Sequence, residues 1–324
     1  MAERARSRTV LHLALGGTIG CVRTAAGLAP RLGPKDLLRR ARVPARTVVE
    51  GVDFLQRTVV FPRDWVALSR RIARALDRYD GFVVTLGTDT LAYVAAALTI
   101  TLRNLGKPVV LTGAMIPIRD ARTDARRNLS DALRVASTPG IGGVLVVFHG
   151  EILAGGSVSK VRSTDVDAFE SINELALGRS SANGIAWRRE PVVSARGARG
   201  AALEPKARFD TRVATCKLTP QVDAAFVEGV AKYHGIVVEG YGDGNVPVEL
   251  VPALSRLARR RIVVLASHCL HGAVRHRYEG GRALIRAGAL SAGAATKEAA
   301  LVRLMWALGQ GRDRIHARRL FSAL

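Results

Sequence analysis

Four short, almost unbroken apolar runs, Val10 to Leu15, Gly81 to Leu86, Pro108 to Thr112 and Gly142 to Phe148, constrain the fold of this chain most. They lack the polar–apolar alternation of a sheet with one wet face, so they read as parallel strands covered on both sides. Helical patterns separate them. In Asp64 to Leu76, opened by Pro62, Trp65, Leu68, Ile72 and Leu76 recur at helical spacing. Leu91 to Leu105 and Asp124 to Ala136 read as two further helices. Strand, helix, strand in that order implies parallel pairing through right-handed crossovers. The expected fold class is α/β, with a larger N-terminal, doubly wound, mostly parallel sheet.

Two of these strands run into turns rich in glycine and threonine, Leu15-Gly-Gly-Thr18-Ile-Gly20 and Thr85-Leu-Gly-Thr88-Asp89-Thr90. Ligands of open α/β sheets gather at the carboxyl ends of strands, where both turns lie. Glycine at 16, 17 and 87 lets the backbone bend sharply and approach a ligand. Taken singly, either turn is more often a plain strand-to-helix connection with a helix cap, and the weight comes from finding two of them and a third element. A third element, Val158-Ser-Lys160 through Phe169, follows the last apolar run. Lysine can lose its proton when desolvated and arginine in practice cannot, which makes Lys160 a candidate base in an arginine-dominated chain. The other reading of Lys160 is a solvated surface lysine. Hydroxyls, a carboxylate and an amine on such loops form the layout of a threonine-dependent hydrolase.

At 324 residues the chain is long for one core and typical of two. Arg188 to Arg212 is rich in Arg, Pro, Gly and Ala with little periodicity and reads as a linker. The expected domains are a catalytic α/β domain over residues 1–190, a linker over 191–211 and a smaller α/β domain over 212–324. In the last, Ala214 to Leu218, Gly235 to Glu239 and Arg261 to Ala266 are strand-like. With 48% hydrophobic but only 5% aromatic residues, the interior must be built from Ala, Val, Leu and Ile.

Cys21, Cys216 and Cys269 are odd in number and lack metal-like spacing, which argues against a disulfide framework and for a reducing compartment. The amino end, with Arg4, Arg6 and Arg8 before an apolar run, imitates an export signal. The run stops at Gly16-Gly17 and is needed as the first strand. No stretch of about twenty apolar residues could span a bilayer. A cytoplasmic location is expected. The net charge of +22 suffices to attract polyanions by counterion release. The arginines are scattered, however, without aromatic interleaving or a zinc or helix-turn-helix pattern. Steering of anionic substrates is the expected effect of the charge, rather than a nucleic-acid function.

The stretches around Thr18, Thr88-Asp89 and Lys160 resemble the bacterial L-asparaginase/glutaminase family, as does Lys107-Pro-Val-Val-Leu-Thr-Gly-Ala-Met-Ile-Pro117. Asp124, Asn128, Tyr241-Gly-Asp-Gly-Asn245 and Leu301 to Gly309 fit as well, so the resemblance runs from about residue 9 to the C-terminus. Gly87-Thr-Asp-Thr-Leu-Ala-Tyr93 and Asn104-Leu-Gly-Lys-Pro108 look more like its cytoplasmic, type I branch than its secreted one. The resemblance implies hydrolysis of a side-chain amide without cofactor or metal. It makes Thr18 the nucleophile on a mobile loop, and Thr88, Asp89 and Lys160 a triad that polarises a hydroxyl or a water. A hydroxyl is a poor nucleophile until a neighbour takes its proton. Asp89 has two implied tasks, orienting Lys160 and binding a substrate ammonium. A carboxylate beside a lysine favours the charged amine whereas a base must be neutral, so desolvation has to oppose that pairing. Backbone N–H groups of the glycine loops are the natural oxyanion donors. Asn245 matches a residue that reaches a neighbouring subunit's site, and Glu279 is a further candidate for that task. A homodimer or homotetramer acting on a small-molecule amide is implied.

Two departures stand out. Where the family carries a tyrosine on the loop after the first threonine, this chain has Leu28. Where the family has a Ser-rich segment that holds the substrate α-carboxylate, this chain reads Gln56-Arg57-Thr58-Val59-Val60, so the serine position falls on Arg57 or Thr58. An arginine there could bind an acidic group through a bidentate pair. Three functions follow: an asparaginase-like amidohydrolase with altered specificity, an ammonia-supplying component of a tRNA-dependent amidotransferase, and a non-catalytic binding protein on the same scaffold. Such amidotransferase components carry an extra amino-terminal domain ahead of the catalytic one, which weighs against the second.

Overall fold

The computed structural model describes residues 7–191, 207–311 and 313–324. Most of the expected linker, and Arg4 and Arg6 of the amino end, lie outside the described residues. The chain forms two compact units. The first holds the described residues through Ser171 and from Leu175 onward to 191; the second holds Ile172–Glu174 and those from 207 on.

The first unit carries twelve strands among its described residues: β1 (Arg8–Gly16), β2 (Cys21–Thr24), β3 (Gly27–Pro30), β4 (Thr47–Arg57), β5 (Gly81–Thr85), β6 (Pro108–Thr112), β7 (Gly143–Phe148), β8 (Glu151–Ala154), β9 (Val158–Lys160), β10 (Phe169–Ser171), β11 (Gly178–Ser181) and β12 (Gly184–Trp187). Its helices are α1 (Pro34–Leu38), α2 (Pro62–Ala75), α3 (Thr88–Thr101) and α4 (Ala125–Ala136). Eight strands form one sheet in the order β12-β11-β8-β7-β6-β5-β1-β4. The five from β7 to β4 pair in parallel, and β8, β11 and β12 extend the sheet antiparallel beyond β7.

Every residue of β5 and β6 is buried, which explains their uninterrupted apolar runs. On one face Val10, Val83, Val110, Leu145 and Val147 pack with Leu129, Ala132 and Leu133 of α4. The helix α3 lies against β6, β7 and β9, with α2 packed on it. A buried Ser69–Thr101 hydroxyl pair at 2.8 Å joins α2 and α3. Being covered so widely, α3 is apolar nearly all round (Leu91, Val94, Ala95, Leu98) rather than amphipathic. It begins at Thr88, three residues before the Leu91 start expected from sequence, and ends at Thr101 rather than Leu105. Asn104 then takes the left-handed conformation (φ 58°), which asparagine tolerates better than most residues.

The chain leaves β1, forms β4 on one side of it and returns as β5 on the other. The strand order therefore reverses between β1 and β5. This is the switch point at which open α/β sheets hold their ligands, and the two threonine turns follow these two strands.

The second unit has a four-stranded parallel sheet in sequence order, β13 (Val213–Lys217), β14 (Gly235–Gly240), β15 (Ile262–Ser267) and β16 (Leu290–Ser291). Its helices are α5 (Ala224–Gly229), α6 (Val251–Arg260), α7 (Glu279–Arg286), α8 (Lys297–Gly309) and α9 (Arg314–Ser322). Ile236, Val238, Val263 and Leu265 make its core with Leu254, Leu257 and Leu284. Cys21, Cys216 and Cys269 are free thiols, and burial raises the pKa of the first two, that of Cys216 to about 11.

Candidate active site

Three backbone segments close on one another at the ends of β1, β4 and β5. Gly17, at φ 80°, lies so near the β5 turn that an added Cβ would sit 2.3 Å from the Gly87 nitrogen. Gly87 is equally crowded, with the Thr58 carbonyl oxygen 2.1 Å from where its Cβ would be. The Gly17 N–H donates to the Arg57 carbonyl at 2.9 Å. Only glycine permits these approaches. The turn carrying Thr18 and the turn carrying Thr88 are thereby held backbone to backbone, with residues 57 and 58 along their edge.

Gly87 caps α3, placing Thr88 and Asp89 in its first turn. The first N–H groups of a helix have no partner within it, and the positive end of the helix favours the Asp89 carboxylate. Lys160, at the end of β9, reaches this helix end. Its ammonium donates to Thr88 Oγ1 at 2.8 Å and to Asp89 Oδ1 at 2.7 Å. The β9–β10 hairpin holds it there, pairing Lys160 with Phe169, whose ring packs 4.8 Å from that of Phe148. Thr88 is buried and the Lys160 side chain 19% exposed, whereas the Asp89 side chain is 79% exposed. The carboxylate is therefore the member of the cluster most open to a cationic ligand group. Thr18 opens a single 3-10 turn, is half-buried, and its hydroxyl makes no hydrogen bond among the described residues.

The Arg57 guanidinium is paired with Asp64 at 3.2 Å, and Asp64 also accepts the Phe61 N–H at 2.9 Å at the start of α2. Thr58, next in sequence, is exposed. Leu28 lies on β3 opposite Arg23 and is 52% exposed. In the second unit, Asn245 closes a tight turn with Tyr241, and the Gly244 carbonyl and Val246 backbone press on Gly281 and Gly280 at the start of α7. Asn245 and Glu279, the first residue of α7, thus belong to one loop cluster of that unit.

Several supporting residues escaped a role in the sequence reading. Asp124 accepts the Met115 and Ile116 N–H groups at 3.0 and 2.9 Å. Asn128 donates to the Gly113 carbonyl and to Asp124 and accepts the His149 N–H, which fixes the loop after β6. Below the Thr88 turn, the fully buried His12 ring contacts Thr85 Oγ1 at 2.9 Å, and burial lowers its pKa to about 4. A polar residue inside the apolar run of β1 was the available signal. Among the described residues no His, Cys, Asp and Glu cluster could hold a metal ion.

A doubly wound sheet whose switch point carries an amine in contact with both a hydroxyl and a carboxylate has the architecture of a hydrolytic enzyme. The family model "Asparaginase, N-terminal" matches residues 9–193, and "Glutaminase/Asparaginase C-terminal domain" matches 212–321. The chain is 38% identical over 322 residues to an L-asparaginase of Thermococcus kodakarensis, covering 97% of this chain and 96% of that one. A solved structure of the thermostable L-asparaginase from that organism superposes with a TM-score of 0.89 at 39% identity, over 97% and 96% of the two chains. L-asparaginase 1 of Escherichia coli is 32% identical over 321 residues, 95% of this chain and 94% of that one. The chain belongs to the asparaginase family and is an asparaginase-like amidohydrolase.

Proposed function

We propose that this chain hydrolyses the side-chain amide of L-asparagine, or of a substrate built around it, to the carboxylate and ammonia through an acyl intermediate on Thr18. The observation that carries this reading is the contact of Lys160 with Thr88 and Asp89 beside the Thr18 turn. The Thr18 hydroxyl attacks the amide carbon, its proton passes to the leaving nitrogen, and ammonia departs. Water then cleaves the ester, restoring the hydroxyl and releasing the acid. Thr88 and Lys160 polarise the attacking water or hydroxyl. In the resting geometry the amine donates to Thr88; reversal of that bond, the hydroxyl donating to a neutral amine, is the proton movement required.

Asp89, the exposed member, binds the substrate ammonium, and N–H groups at the start of α3 and of the Thr18 turn face the developing oxyanion. At the α-carboxylate position Thr58 does the work of the family's serine, because Arg57 is engaged by Asp64. The motifs Gly87 to Tyr93 and Asn104 to Pro108 support membership of the type I branch. Lys107, in the second motif, donates to the Tyr79 carbonyl at 2.7 Å and ties its loop to the end of α2. Asn245 and Glu279 complete the site of a neighbouring copy in a homodimer or homotetramer. The three free cysteines support a cytoplasmic location, and no described helix is long and apolar enough to cross a membrane.

The test is ammonia release from asparagine, glutamine and small amide analogues, combined with intact-mass analysis of acid-quenched enzyme. Ammonia together with an acyl adduct on Thr18 is expected. Absence of both with every amide would overturn the reading.

A further inference from the structure

The β2–β3 hairpin and the loop after Ile116 border a groove of about 540 Å³, within the range of pockets that bury small molecules, roughly 300–1,000 Å³. Cys21, Arg23 and Leu28 line one wall and Pro117, Arg119 and Asp120 the other. Both walls are fastened to residues flanking Thr18. The Cys21 thiol donates to the Gly17 carbonyl at 3.3 Å, and the Ile118 N–H donates to the Ile19 carbonyl at 3.2 Å. The groove is thus tied to the backbone on either side of Thr18, which does not itself line it.

The charge of the groove is unbalanced. Arg23 and Arg119 are exposed, and neither side chain has a hydrogen-bond or ion-pair partner among the described residues. The single carboxylate of the lining, Asp120, is turned into its own loop, where Oδ1 accepts the Arg122 N–H at 3.0 Å. Elsewhere in the unit, arginines beside structured acids are paired, as Arg57 is with Asp64 and Arg134 with Asp131. A guanidinium presents a planar fork of donors matched to a carboxylate, and the exposed Leu28 offers apolar surface to a hydrocarbon link.

We propose that this groove is a second subsite, beside Thr18, for a carboxylate-bearing extension of the amide substrate, recognised by Arg23 and Arg119. The preferred substrates are then amides that carry an acidic group beyond the asparagine unit, such as an acidic asparaginyl peptide. The proposal rests on the reading of Thr18 as the reacting residue.

The test compares the C-terminal N-methylamides of the dipeptides asparaginyl-aspartate and asparaginyl-alanine, of which only the first carries a carboxylate, on the full chain and on the double variant Arg23→Gln/Arg119→Gln. Binding is measured by titration calorimetry and ammonia release in parallel. At least tenfold tighter binding of the acidic dipeptide is expected in the parent, falling to less than twofold in the variant. Turnover of free asparagine should stay within twofold. Equal binding of the two dipeptides by the parent, or a preference that survives the double substitution, overturns the subsite. Because binding is read without turnover, the two readings separate. Acid preference without ammonia from any amide removes the amidohydrolase reading alone, whereas asparagine turnover without acid preference removes the subsite alone.

Discussion

The Lys160 amine donates to the Thr88 hydroxyl at 2.8 Å across 72 residues of sequence. A short hairpin thus delivers a cation to the first turn of a buried helix, at the reversal point of the sheet. Replacing Lys160 by Met keeps the length of the side chain and removes the proton acceptor. Ammonia release is expected to fall by roughly 10²–10⁴-fold, the usual contribution of a positioned acid or base. Circular dichroism should be unchanged. A variant retaining more than a tenth of the parent rate would show that the amine takes no part.

Gly17 and Gly87 bring the two threonine turns together by having no side chains. Gly17→Ala forces a Cβ into the Gly87 backbone at a φ of 80°, so both turns have to separate. A loss of stability of about 2 kcal/mol or more is expected from such strain, together with loss of activity. Thermal melts read the first and ammonia release the second. Gly229→Ala, at a glycine in helical conformation (φ −59°) with open space around it, is the control and should leave activity nearly intact.

Asp124 accepts two backbone N–H groups of the loop after β6. Asp124→Ala leaves those donors without a partner and should cost about 1–3 kcal/mol in denaturant unfolding. Asp124→Asn, which keeps one acceptor oxygen, is expected to cost less. Equal stability of both variants and the parent would contradict the role.

His12 is held neutral by burial, with its pKa near 4 against an ordinary 6.5. Between these values the unfolded chain binds a proton that the folded chain refuses, so stability falls as pH drops from 6.5 toward 4 and levels off below. The full effect is about 3 kcal/mol. Urea unfolding of the parent and of His12→Gln across this window should show a shallower slope for the variant. Parallel slopes would indicate that His12 does not titrate on unfolding.

Much of this was readable in the sequence, for physical reasons that differ by element. β5 and β6 are buried on both faces, so composition alone marked them. β4 is an edge strand of half-buried and exposed residues, and its sequence, Thr47 to Arg57, offers no clean period. Its parallel register with β1, which sets Arg57 against Gly16, is a long-range property that no local pattern encodes. The start of α3 is hidden in the sequence because Gly87-Thr-Asp-Thr has the composition of a turn. The cap is Gly87, which leaves Thr88 and Asp89 inside the helix. By sequence Arg57 is a candidate carboxylate binder, but its partner Asp64 lies in the next helix and its pairing depends on how that helix begins. The net charge of +22 does not distinguish paired from unpaired arginines; among the described residues Arg57 and Arg134 are paired with acids, whereas Arg23 and Arg119 are not.

The most direct measurement is steady-state ammonia release by Thr88→Ala against the parent, with L-asparagine and with the best amide found. The variant loses a buried hydroxyl 2.8 Å from Lys160 and little else. A drop of at least a hundredfold in kcat/KM, with the fold retained, is expected if the cluster cleaves the amide. Unchanged turnover would contradict it.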